Sequence, residues 1–159
     1  MPEVSLYVAM VTAAAGVGGA AIPAIAVIMR DVRQAERDRR ERTAEAKRQA
    51  CLGLLSAAGE LRARVADNTQ YTGDQLAAWL AGLREGEAAV HLSAANVALL
   101  APQTLADPAD HLARAAGQLA AKAAKDTDNR SRIVPQPDFT GFDESVAAFL
   151  RKAVANAPA

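Results

Sequence analysis

The feature that most constrains this sequence is a run of 24 residues without a charged side chain, from Leu6 to Met29. A helix of about 20 apolar residues crosses the hydrocarbon core of a bilayer, so the run is long enough to span a membrane. Alanine and glycine gain little from lipid, and most of the favourable transfer comes from four branched residues: Ile22, Ile25, Val27 and Ile28. The run lacks the basic segment that precedes a cleaved signal peptide, so we expect an uncleaved single-pass anchor.

Basic residues flank this run on one side only. Eight Lys or Arg residues lie between Arg30 and Arg48, whereas Met1 to Ser5 contains none. The positive-inside rule therefore places the N-terminus outside and the C-terminal part in the cytoplasm, with the chain in the inner (plasma) membrane. The basic residues nearest the bilayer are expected to contact lipid headgroups or to set the topology: Arg30, Arg33 and Arg37. A segment of only five residues outside excludes an outward-facing receptor.

Small residues recur every four positions along the apolar run, at Thr12, Gly16, Ala20 and Ala24. A stripe of this kind lets a second helix approach closely, so it predicts packing of the membrane helix and a homo-oligomer. The alternative is that an alanine-rich run produces such a stripe by chance. Pro23 predicts a kink one turn earlier, near Gly19.

A second pattern in the same run, Gly16, Gly18 and Ala21, satisfies a relaxed dinucleotide-binding fingerprint. That fingerprint requires a preceding strand and further strand-helix units, and the rest of the chain has no alternating pattern typical of strands. We therefore expect no nucleotide and no other cofactor.

The segment 30–43 follows the run and is highly charged, with neither glycine nor proline. Opposite charges at helical spacing, as in Asp38 and Arg42, predict that it continues the membrane helix as a solvated neck. Acidic residues interrupt the basic ones and no aromatic side chain is present for stacking on bases. No nucleic-acid partner is expected, and the formal net charge of +0 for the whole chain agrees with this.

Residues 44–159 have the pattern of a cytoplasmic helical bundle. Hydrophobic residues make up 51% of the chain but aromatic residues only 4%, and the abundant alanine favours helices over strands. Apolar residues at three- and four-residue spacing predict inward-facing stripes on four helices: Ala44, Cys51, Leu54, Leu55, Ala58, Leu61 and Val65; Leu76, Trp79, Leu80, Leu83, Val90, Ala94, Val97 and Leu100; Leu112, Ala116, Leu119 and Ala123; Phe142, Val146, Phe149, Leu150 and Val154. Short connections favour an antiparallel up-down-up-down order.

Helix ends are predicted from capping and breaking residues. The second helix covers Gln75 to Leu100, capped by Thr72 or Asp74 and stopped by Pro102. The third runs from Pro108, with Asp107 as its cap, to Lys125. A loop covers 126–138, with the composition of a mobile segment, and Thr140 with Asp143 caps a last helix that ends near Asn156. The chain is thus all-α, with domains at 1–29, 30–43 and 44–159.

Residues that could carry chemistry are few. His91 and His111 each follow an acid by four residues, Glu87 and Asp107, which predicts helix-surface ion pairs rather than a metal site, since no E-x-x-H spacing occurs. Cys51 lies on an apolar stripe and is expected to be a small buried hydrophobe. Ser56 and Ser93 lack a nucleophile elbow, and Trp79 is expected to anchor the core. No metal and no catalysis are expected, so the chain is not predicted to be an enzyme.

The order of an Ala/Gly-rich helix, then RDVRQAERDRRERTAEAKRQACLGLLSAAGELR and EAAVHLSAANVALLAPQTLADPADHLARAA, resembles uncharacterised small single-pass membrane proteins of actinobacteria. The preference for Arg over Lys fits a GC-rich genome. The resemblance implies a membrane location and a helical cytoplasmic domain, and it implies no activity and no functional residues.

Two functions follow as hypotheses. A membrane-anchored interaction or scaffold protein with an unknown cytoplasmic protein partner is favoured, because a complete bundle is recognisable and a catalytic constellation is not. The alternative is a membrane-active protein, holin-like or pore-forming, in which the Gly/Ala-rich helix associates with itself.

Overall fold

The computed structural model describes residues 21–67, 73–128 and 137–156. These residues form four helices and no strand: α1 (Ala21–Ala66), α2 (Asp74–Leu100), α3 (Gln103–Asp128) and α4 (Thr140–Ala155). The prediction of an all-α helical bundle is confirmed. The contacts divide the chain into two compact units, with the boundary between Arg42 and Thr43, inside α1. The packing of helix against helix that is described below belongs to the second unit, Thr43–Ala159.

The charged segment 30–43 is part of α1, and its exposed side chains support the helix locally. Glu36 pairs with Arg40 at 2.5 Å, and Glu45 pairs with Arg48 at 3.0 Å. The expected partners Asp38 and Arg42 do not pair within 4 Å in this described part of α1. An exposed pair of this kind stabilises a helix by about 0.2–0.5 kcal/mol, and of these two pairs Glu36–Arg40 is the one that lies inside 30–43.

Contacts between helix ends define an antiparallel up-down-up-down order. The Trp79 indole Nε1 donates to the Arg64 carbonyl at 3.1 Å, which brings the start of α2 to the end of α1. The Arg62 guanidinium contacts Asp143 at 2.9 Å, which brings the start of α4 to the same end of α1. At the other end of the bundle, the hydroxyl of Thr104 at the start of α3 donates to Asn156, just past α4. Each helix therefore runs opposite to the next.

The core is apolar and built mainly from leucine, valine and alanine. Its largest fully buried side chains are Phe149, Leu54, Leu61, Leu83, Leu112, Val65, Val90 and Val97. Within the described residues no polar side chain is buried. Alanines contribute seven of the buried positions, which brings helix backbones close together but removes little apolar area from water per residue: Ala50, Ala58, Ala94, Ala109, Ala113, Ala116 and Ala120.

The predicted inward stripes are largely correct in α1, α2 and α3, and partly wrong in α4. Phe142 and Phe149 are buried, but Leu150 is 41% exposed and Val154 is 73% exposed. Each residue advances a helix by about 100°, so Leu150 and Val154 point about 100° and 140° away from the Phe149 direction. The two phenylalanines fix which face of α4 is buried. Leu100, at the end of α2, was also expected inside and is 38% exposed.

The third helix begins earlier and ends later than the sequence predicts. The Pro102 carbonyl accepts the N–H groups of Leu105 and Ala106 at 2.9 and 3.3 Å, so α3 starts at Gln103 and Pro108 lies inside it. A proline there removes one hydrogen bond near the helix start, where the freed carbonyl of exposed Thr104 reaches water. The helix continues to Asp128, so the predicted loop start at 126 is wrong. Residues 129–136 of that loop lie outside the described residues.

The N-terminal ends of α2 and α4 differ from the predicted caps. Gly73 precedes α2 with a φ of 54°, a left-handed conformation that glycine adopts without strain, and no side chain caps this end. Asp74 is already the first helical residue, and Thr72 lies outside the described residues. At α4 the N-cap position is Phe139, with no side-chain cap, so the cap predicted from Thr140 and Asp143 does not form; the Thr140 N–H donates to Asp138 Oδ1 at 3.0 Å.

At Gly86 the α2 helix lies close to α1. A Cβ at this position would lie 3.1 Å from Leu61 Cδ1 and 3.8 Å from its Cα. Gly53, an exposed helical glycine of α1, has no heavy atom within 4 Å of the same position. We expect Gly86→Leu to destabilise the fold by about 1–3 kcal/mol through overpacking, whereas Gly53→Leu stabilises it by up to about 1 kcal/mol through helix propensity. Urea unfolding measures both, and shifts of the same sign would contradict the close approach.

Candidate functional site

The predicted membrane-helix stripe lies mostly beyond the described residues. Thr12, Gly16 and Ala20 are outside them, and Ala24 lies within α1. Among the residues that the structure describes, no helix combines the length and apolarity needed to cross a bilayer.

The three arginines that follow the apolar run lie on one face of α1. Arg30, Arg33 and Arg37 are separated by three and four residues, which places them within an arc of about 60° on the helix. All three are exposed, and in the described part of the chain none has an ion-pair partner, unlike Arg40 and Arg48 further along. A face of unpaired guanidinium groups suits contact with phosphate, because guanidinium binds phosphate oxygens in a bidentate manner.

The candidate nucleophile Cys51 is half-buried beside the core, and burial raises the pKa of its thiol. A raised pKa leaves little thiolate at neutral pH, so this thiol is a weak nucleophile. Trp79 is also half-buried against the core, and its indole N–H holds the Arg64 carbonyl, so it joins α1 to α2.

The expected ion pairs of the two histidines do not form. In the described structure, neither Glu87 with His91 nor Asp107 with His111 comes within 4 Å. The side chains of Glu87 and His91, both on α2, instead lie beside Gly117 of α3. The Asp107 carboxylate accepts a hydrogen bond from the Gln103 amide at 3.1 Å, because α3 begins one turn before Asp107. His111 is left exposed on α3.

No metal centre is present in the part of the chain that the structure describes, where no group of three His, Cys, Asp or Glu side chains is placed to hold an ion. Asp110 is an exposed acid on α3, one residue before His111. Its hydrogen bonds from Arg114 lower the pKa of this carboxyl, with smaller contributions from His111 and His91. The carboxylate is thus engaged by a guanidinium on the helix surface.

Arg62 forms a cluster that the sequence analysis did not find. Its Nε and Nη2 donate to both Asp143 carboxylate oxygens at 2.9 and 3.1 Å, and its guanidinium carbon lies 4.4 Å from the centre of the Phe139 ring. The hydrogen bonds from Arg62 lower the pKa of Asp143. Arg62 and Asp143 are 81 residues apart. The cluster joins α4 to α1 through two hydrogen bonds and one cation–π contact.

A surface groove lies between α3 and α4. It consists of two hollows of about 330 and 370 Å³ that share His111, Gly141 and Ser145. We call it the α3–α4 groove. Small residues of both helices are among those that line it, Ala115 in one hollow and Ala148 in the other. The sequence contained this signal only as scattered small residues, since their alignment depends on the register between two helices.

Cationic side chains outnumber carboxylates along the α3–α4 groove. Four cations line it, Arg114, Lys122, Arg151 and Lys152, and two carboxylates, Asp138 and Glu144. Arg114 pairs with Asp110, and Lys122 lies 3.8 Å from Asp138. Arg151 and Lys152 have no ion-pair partner among the described residues. Asp110 and Asp138 balance the charges of Arg114 and Lys122, so the local excess is that of Arg151 and Lys152 over Glu144, one positive charge.

Comparisons of the chain with protein-family models, with curated proteins and with solved structures give no match.

Proposed function

We propose that this chain is a membrane-anchored interaction or scaffold protein whose helical bundle binds a cytoplasmic protein. The observation that carries the proposal is the continuity of α1. The helix begins in the uncharged run at Ala21, includes the charged segment 30–43 and supplies the core residues Leu54 and Leu61. One helix therefore contains part of the candidate anchor and part of the bundle.

The proposed anchor is a single transmembrane helix within Leu6–Met29, with the N-terminus outside and the bundle in the cytoplasm. Its support is the uncharged length and the one-sided arginines. The unpaired face of Arg30, Arg33 and Arg37 follows the run directly and suits anionic headgroups, at about 1 kcal/mol per basic residue near the surface.

The bundle is proposed to bind rather than catalyse. Burial raises the pKa of the Cys51 thiol, and both histidines lie exposed on helix surfaces, where neither forms an ion pair with a carboxylate of the described residues. A groove with unpaired charge, by contrast, is a feature that a protein partner can use.

We also propose that the chain associates with itself through its membrane helix. The small residues Thr12, Gly16, Ala20 and Ala24 permit close approach of two helices. Replacing Gly16 and Ala20 with Ile is expected to abolish cross-linking of the full chain in membranes. Unchanged cross-linking, or none in the parent protein, would remove this contact.

The experiment that tests the function is induced expression of the full chain, with membrane potential and cross-linking followed together. A scaffold leaves the potential intact and cross-links to a discrete protein through the bundle. Rapid depolarisation without such a product would support the alternative, a holin-like or pore-forming protein. A matched induction of the Gly16→Ile, Ala20→Ile variant separates depolarisation by helix association from general toxicity.

A further inference from the structure

We propose that the α3–α4 groove is the docking surface of the bundle and that it takes an acidic helical segment of a partner protein. The inference rests on the proposed interaction function and names the chemistry of the partner.

The shape of the groove suits a helix. From Pro108 to Lys122 it follows α3 for 14 residues, which is about 21 Å at the rise of an α-helix. Small residues, Gly141 and Ala148 among them, contribute to its lining. A trough between two helices accepts a third helix along the same axis, as in helix-in-groove recognition.

The charge of the groove determines the sign of its partner. Arg151 and Lys152 have no partner within the described residues, so their charges are available to an incoming group. Arg62 differs from these two residues, because its guanidinium already contacts Asp143 and Phe139. Partner carboxylates beside Arg151 and Lys152 would form exposed ion pairs that fix register and speed association.

Other anionic partners fit the groove less well. Single-stranded nucleic acid needs aromatic faces for stacking, and the only aromatic side chain lining the groove, Phe142, is 4% exposed. A lipid surface is broad and anionic, whereas this feature is concave and includes the carboxylates Asp138 and Glu144. The proposed acidic helix pairs with Arg151 and Lys152 in the hollow that Asp138 does not line, where these two cations face one carboxylate, Glu144.

The test measures binding of a labelled, helical Ala/Glu peptide of about four turns to the full-length chain in neutral detergent. Fluorescence anisotropy is recorded for the parent, for Arg151→Glu with Lys152→Glu, and for a control, Arg84→Glu with Lys125→Glu. All four are exposed cations without an ion-pair partner in the described structure, and the control pair lies outside the groove. We expect the groove variant to bind about tenfold or more weakly and the control to bind as the parent does.

Four results would overturn the groove as the docking surface of an acidic helix. Equal weakening in both variants would indicate general charge attraction. Equal binding of the same peptide with Gln in place of Glu would show that charge does not select the partner. Selective loss of binding to phosphatidylglycerol vesicles in the groove variant, without peptide binding in the parent, would assign the groove to lipid. If the groove variant still cross-links to the same membrane partner as the parent, the interaction function stands and the groove is not its site.

Discussion

Leu54→Ala is expected to lower the free energy of unfolding by about 2–5 kcal/mol, because it removes a fully buried side chain and leaves a cavity. Leu54 is 0% exposed in the core between the helices. Leu52, two residues earlier on the same helix, is 59% exposed. Leu and Ala have similar helix propensities, so Leu52→Ala should change stability by less than about 0.5 kcal/mol.

Urea unfolding of the two variants, followed by circular dichroism, measures this contrast. The substitution and the helix are the same in both, so the difference reports burial alone. Equal losses for Leu52→Ala and Leu54→Ala would mean that α1 packs with a different face from the one described.

Phe149→Ala is expected to have an effect at least as large, about 3–5 kcal/mol. Phe149 is the largest fully buried side chain, and the chain has only three phenylalanines. The bundle relies on alanine at many other core positions, so few neighbours are able to fill the space that its ring leaves. We expect a clear fall in melting temperature, since this loss is a large fraction of the about 5–15 kcal/mol by which small domains are stable.

The control for this variant is the next residue, Leu150→Ala. Leu150 is 41% exposed, and its truncation should cost well under half as much as that of Phe149. A thermal melt followed at 222 nm gives both values. A greater loss for Leu150→Ala would mean that α4 is rotated and that the inward stripe predicted from the sequence was correct there.

Periodicity predicted the helices and most of the core because apolar spacing is a local property of the chain. The α2 prediction, Gln75 to Leu100, differs from the structure by one residue. The stripe containing Leu54, Leu61 and Val65 is buried as expected. In α4 the apolar stripe is wider than the buried face, so periodicity alone did not decide which side faces inward.

Helix ends were harder to predict because each has several competing caps. Pro108 follows an acid and so resembles a helix start, but the Pro102 carbonyl begins α3 one turn earlier. Asp143 fits a capping pair, but Arg62 of α1 engages its carboxylate instead. A tertiary ion pair of this kind has no local signal.

The candidate site was not predictable for the same reason. The α3–α4 groove depends on His111 and Ser145 lying opposite each other on two helices, and this register follows from the packing of Phe142 and Phe149. What the sequence provided was the set of basic residues; their excess over carboxylates along one groove is a property of the fold.

Sodium carbonate extraction of native membranes is the most direct test of the central claim that the chain is anchored by its N-terminal helix. The full-length protein is expected to remain in the membrane pellet at alkaline pH, because about 20 residues in the hydrocarbon core hold a helix there independently of charge. A chain released into the supernatant, as a peripheral protein is, would contradict the proposed anchor.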